Sequence, residues 1–83
     1  MTKKENTEYL VHVQKRLRVA LGFAPARKDI VLLEAAKTQG VIDYVLCRVG
    51  TQHYRMGFGY QVEFVDENGT HIEYIPSRFD RAA

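Results

Sequence analysis

Residues 41–49, Val41-Ile42-Asp43-Tyr44-Val45-Leu46-Cys47-Arg48-Val49 (VIDYVLCRV), decide how this chain is read. Their β-branched and aromatic content and their length fit a strand, and a central one, because both faces would be largely apolar. Following the turn signal at Gly40, they also fit a short helix. The strand reading makes the chain α+β: two N-terminal helices packed on a small three-stranded antiparallel sheet, with strands near 41–49, 58–65 and 70–75. The helix reading makes it winged-helix-like, three helices plus a β-hairpin, with Ala36 and Gly40 at the spacing of a helix-turn-helix corner. Under that reading Ile42, Asp43, Tyr44, Val45, Cys47 and Arg48 would give a groove-reading helix one cation and one acid, where several polar donors are needed. The strand reading is therefore adopted.

On the C-terminal side, Tyr60-Gln61-Val62-Glu63-Phe64-Val65 and Thr70-His71-Ile72-Glu73-Tyr74-Ile75 alternate apolar and polar residues around Asp66-Glu67-Asn68-Gly69. This is the pattern of a β-hairpin. A three-residue loop, Glu67-Asn68-Gly69, with Gly69 left-handed, sets Phe64 against Ile72 and Val62 against Tyr74. One face then carries Tyr60, Val62, Phe64, Ile72 and Tyr74. The other brings Glu63 opposite Glu73 with His71 nearby, a like-charge pair that a cation or solvent must meet. Pro76 ends the strand and residues 77–83 form a tail in which Phe79 is the residue suited to dock.

On the N-terminal side, Asp29 to Gln39 (DIVLLEAAKTQ) is rich in strong helix formers and stops at Gly40, so it is expected to be a second, well-buried helix. The first helix spans about Thr7 to Leu21, after a polar tail at 1–6. Asn6 or Thr7 would cap it and Gly22 would end it. Tyr9, Leu10, Val13, Leu17, Ala20 and Leu21 share one face. His12, Lys15, Arg16 and Arg18 spread over the other with Val11 and Val19 among them, more apolar surface than solubility requires. The expected core includes Leu10, Val13, Leu17, Leu21, Leu33, Val45, Val62, Phe64, Ile72 and Tyr74.

Between the decisive stretch and the hairpin, Gly50-Thr51-Gln52-His53-Tyr54-Arg55-Met56-Gly57 reads as a glycine-bounded loop holding His, Tyr and Arg in a row, or as a strand continuing through Tyr54 and Met56. As a loop it would be a place for function. The segment from Arg55 through Gly57, Phe58, Gly59 and Tyr60 to Phe64 resembles the RNP1 motif of RNA-recognition domains, whose aromatics stack bases on an exposed sheet. Met56 stands in the basic position, Gln61 interrupts the aromatic-to-aliphatic step, and the hairpin register turns Phe58 and Tyr60 toward the core. The resemblance covers no more than these ten residues and is not carried further.

The chain has 83 residues and a net charge of +2, which bounds it to one domain with one modest core. No apolar run approaches a membrane span, and the polar opening residues lack the pattern of a secretory signal. A lone Cys47 makes no internal disulfide, so a cytoplasmic location is expected. Charge is shared unevenly: residues 1–40 carry eight Lys and Arg against four acids, and residues 41–83 carry four against six. The basic first half suits an anionic partner.

No phosphate-cradling glycine loop, nucleophile elbow or cysteine pair is present, and His12, His53 and His71 lack metal-ligand spacing. Cys47 reads as a small buried hydrophobe. A Glu63, Glu73 and His71 cluster is the one candidate for metal or acid–base chemistry, and a solvated face is the reading adopted. Neither catalysis nor a cofactor or metal is expected. The expectation is a small non-catalytic binding or regulatory protein, with the size of a phage or mobile-element accessory protein or inhibitor. Its partner would be macromolecular, a protein ahead of nucleic acid, and not a membrane. Lys15, Arg16, Arg18, His53, Tyr54 and Arg55 are the candidate contacts. The alternative is direct nucleic-acid binding through the basic first helix, and open sheet edges also raise a homodimer.

Overall fold

The computed structural model describes residues 2–57, 59 and 61–75. They form a helix α1 (Lys3–Leu21), a single 3₁₀ turn (Arg27–Asp29) and strands β1 (Ile30–Thr38), β2 (Val41–Val49), β3 (Gln52–Gly57), β4 (Val62–Val65) and β5 (His71–Ile75). The strands make an antiparallel meander in the order β1-β2-β3-β4-β5. This overturns both expected architectures. One helix lies on a five-stranded sheet, not two helices on three strands, and the strand at 41–49 removes the winged-helix order.

The expected second helix is β1. Its helix formers are overridden because β1 pairs across a tight turn with β2 in a ladder that runs from Ile30 opposite Val49 to Thr38 opposite Val41. Gln39 and Gly40 hold φ of 52° and 79°, the two positive values that a type I′ hairpin turn requires. Gly40 is therefore a turn residue, not a helix stop. Of the two readings of 50–57, the strand through Tyr54 and Met56 is the one that forms, as β3, with Val49 facing Gln52 across the Gly50-Thr51 turn.

Helix α1 starts earlier than its apolar period indicates. Thr2 caps it: the Glu5 backbone N–H donates to the Thr2 hydroxyl, and the Glu5 carboxylate accepts from the Thr2 N–H. That reciprocal pair turns the expected polar tail into the first turn. Gly22 closes the helix in the left-handed conformation, as expected.

Tyr9, Val13 and Leu17 are buried at four-residue spacing and pack on one face of the sheet against Val45, Cys47, Tyr54, Met56, Val62 and Ile75. Leu17, Met56, Val13, Val45 and Val62 are almost wholly shielded. Each such side chain contributes about 1.5–3 kcal/mol.

The β4–β5 turn has the expected form: the Gly69 N–H donates to the Asp66 carbonyl at 3.0 Å, and Gly69 sits at φ 82°. The Asp66 carboxylate accepts from the Asn68 and Thr70 N–H groups, both at 2.9 Å. Val65 opposes His71 accordingly, but a bulge at Ile72 then slips the ladder, so Phe64 faces Glu73, Glu63 faces Tyr74 and Val62 faces Ile75. The expected pairs Phe64 with Ile72 and Val62 with Tyr74 do not form. Ile75 enters the core instead, while Ile72, Tyr74 and, at a second bulge in β1, Leu33 stay exposed. Both outer strands thus carry a bulge, which interrupts the regular edge that another chain would need for pairing. The expected placements of Phe58, Tyr60 and Phe79 lie outside the described residues.

Candidate binding surface on the first helix

The six candidate contacts separate onto different sides of the sheet. Tyr54 is buried in the core beside Phe64, with ring centroids 5.6 Å apart, and burial raises its phenol pKa. It is a packing residue. His53 and Arg55 alternate with it and face away from α1, opposite Arg48 and Leu46 on β2. Lys15, Arg16 and Arg18 lie on α1. The structure therefore brings together Lys15, Arg16 and Arg18 and parts them from His53, Tyr54 and Arg55.

On the face away from the helix, the charges answer one another. The Tyr44 hydroxyl donates to Glu34, which raises the phenol pKa, and the Arg55 guanidinium lies 5.3 Å from the Tyr44 ring centre. Arg55 stands opposite Glu63 in the strand register, and Glu63 Oε2 lies 3.2 Å from His71 Nδ1. Glu73, opposite Phe64, belongs to the other side of the sheet, so the Glu63, Glu73 and His71 cluster does not assemble. Among the described residues, no group of three or more His, Cys, Asp and Glu is placed to hold a metal ion. Cys47 is buried, and burial pushes its thiol up to about 12, far from a nucleophile's range.

The α1 side is different. Two grooves adjoin along it. The larger, about 640 Å³, is lined by Lys4, Thr7, Glu8, Val11, His12, Lys15, Arg16 and Ile42. The smaller, about 280 Å³, is lined by Val11, Gln14, Lys15, Arg18, Ala24 and Arg27. Val11 and Lys15 belong to both and form the saddle between them.

Each groove is shaped by identifiable local chemistry. The smaller is closed by a relay in which Arg27 Nε donates to Gln14 Oε1 at 3.4 Å, and Gln14 Nε2 donates to the Pro25 carbonyl at 3.0 Å. This ties the 3₁₀ turn to the helix and holds Arg27 beside Arg18. In the larger groove, the bulge opposite the step from Ala36 to Lys37 puts Ile42 on the helix side of β2. Glu8, the one carboxylate lining either groove among the described residues, is engaged by Lys37, whose ammonium also lies 5.4 Å from the Tyr9 ring centre and whose pKa Glu8 raises. His12 is held down to about 4, first by burial and then by the positive charges of Arg16 and Lys15, while a hydrogen bond with the Gly57 backbone works the other way. At neutral pH it is an uncharged wall.

The sequence reading missed Lys4, Gln14, Arg27 and Ile42. Arg27 follows Pro25 in an apparent connector, and only the Gln14 relay gives it a place; nothing in the local pattern announces that contact. Among the described residues, no helix is long and apolar enough to cross a membrane. No protein-family model matches the chain, and no curated protein or solved structure is significantly similar to it.

Proposed function

We propose that this is a small non-catalytic binding protein that engages a macromolecular partner through the exposed side of α1, acting by occlusion or by bridging. The observation that supports this is the pair of adjoining grooves, apolar along Val11 and Ile42 and rimmed by Lys4, Lys15, Arg16, Arg18 and Arg27. An apolar floor inside a cationic rim matches a protein surface, since a phosphate backbone has no apolar group to seat there. The bulged edges favour a single copy as the working unit over an edge-paired homodimer. Buried, reduced Cys47 is consistent with work in the cytoplasm.

Nucleic-acid binding is the second reading. It is favoured by the smaller groove, where Lys15, Arg18 and Arg27 meet no carboxylate among the described residues. Titration of isotope-labelled protein with short duplex and single-stranded oligonucleotides over a salt series separates the two. The protein-partner reading expects no oligonucleotide-dependent shift of the Lys15, Arg18 and Arg27 amides at physiological salt. Saturable shifts that weaken steeply with salt replace it with the second reading.

A further inference from the structure

We infer that the two grooves are one bipartite docking track for an extended acidic segment of a partner protein, with an apolar side chain seated between Val11 and Ile42 and carboxylates on Lys15, Arg18 and Arg27. The inference rests on the proposed binding role of α1 and names what binds there.

Charge complementarity selects the acidic segment. The smaller groove collects three cations and no carboxylate among the described residues, and the one carboxylate of the larger is already engaged by Lys37. The Gln14 relay holds Arg27 in place before any partner arrives, which lowers the ordering cost of recognition. The apolar walls select against a bare polyanion. Lys4 and Lys15 line the groove with Val11 and Ile42, and a lysine in such a place lays its methylene stem along apolar surface and keeps its ammonium in water.

The shared saddle fixes the order of the two elements on the ligand. Groove residues on α1 run from Lys4 to Arg18, about 21 Å at 1.5 Å per residue, a distance that about seven residues of extended chain cover. The ligand therefore carries its apolar residue toward one end and its acids toward the other.

The test uses the intact protein and synthetic peptides of about seven residues, followed by amide shifts and fluorescence anisotropy. One peptide has a leucine at one end and three acids at the other; a second replaces the leucine by glycine; a third carries lysines for the acids. The first is expected to shift Val11, Lys15, Arg18, Arg27 and Ile42. The glycine peptide binds at least about fivefold weaker and leaves Ile42 still, and the lysine peptide does not bind. Joint R18E and R27E lower affinity for the first peptide about tenfold, and V11S about threefold. Dispersed amide spectra and a single cooperative melting transition establish that these variants fold.

Equal binding of the leucine and glycine peptides overturns the apolar half, and indifference to R18E with R27E overturns the acidic half. Shifts of these amides by an oligonucleotide and by no peptide overturn the partner class while leaving the α1 interface standing. Silence toward both overturns the interface as well.

Discussion

His12 reports on the larger groove without any ligand. Its pKa lies near 4 in the folded protein against an ordinary 6.5, because burial and the neighbouring Arg16 and Lys15 oppose its charge. The unfolded chain thus binds the proton more readily, so stability rises with pH across this interval and is lost as pH falls from about 6.5 to about 4. A shift of that size would be worth about 3 kcal/mol for a fully buried group; His12 is only half-buried, so solvent screening brings the expected loss to about 1–2 kcal/mol. Urea denaturation of the wild type and of H12Q at several pH values measures it. The wild type should lose that much more than H12Q between neutral and mildly acidic pH, and parallel curves would count against a His12 held neutral by its surroundings.

At the scale of the elements, the β1–β2 turn carries a removable strain. Gln39 is the one non-glycine residue with positive φ among those described, and only a hairpin turn explains it. Gln39→Gly, or Gln39→Asn, should stabilise the protein by about 0.5–1 kcal/mol. Thermal melting checks this; a lower melting temperature would argue against the left-handed turn. The β4–β5 ladder offers a second test. Ile75 is 8% exposed and Ile72 is 61% exposed, so Ile75→Ala should cost about 2–4 kcal/mol and Ile72→Ala less than about 0.5. The register expected from alternation alone gives the reverse order.

Those same elements explain what the sequence could and could not disclose. The first helix was legible because four-residue spacing survives through Tyr9, Val13 and Leu17, and the hairpin turn because Asp66 and Gly69 specify it locally. The bulges were not legible. At a bulge the side-chain parity flips, so β1 turns Ile30, Leu32, Ala35 and Lys37 toward the helix, which breaks the strict alternation that marks a strand and leaves the helix-forming composition of the segment as the stronger signal. At Ile72 the same event moved Tyr74 out of the core and Ile75 in. Of the candidate contacts, Lys15, Arg16 and Arg18 followed from the helical period. Tyr54 is a contact under the loop reading of 50–57; the alternation of Tyr54 and Met56 with His53 and Arg55 carries the strand reading, and which face of β3 lies beneath α1 is set by tertiary packing.

For the whole molecule, the decisive asymmetry is one of charge: cations gather along the groove side of α1, while on the other face of the sheet acids and bases are interspersed, with Arg55 opposite Glu63 in the ladder, Glu63 beside His71 and Glu34 accepting from Tyr44. Lys15 and Arg18 stand three residues apart on the helix and Arg27 is held beside them, an arrangement that repels itself in the free protein. A fold selected only for stability would intersperse acids there; concentrated like charge is what a site for an anionic partner costs. The cost is measurable. Raising salt from about 20 mM to about 0.5 M shortens the screening length from about 20 Å to about 4 Å, which should raise the wild-type melting temperature by about 2–5 °C. The R18E and R27E double variant places acids against Lys15, so it should start higher at low salt and gain little or lose stability as salt is added. Identical salt responses in the two proteins would show that these cations do not strain one another, and would remove the physical reason for reading their gathering as a site.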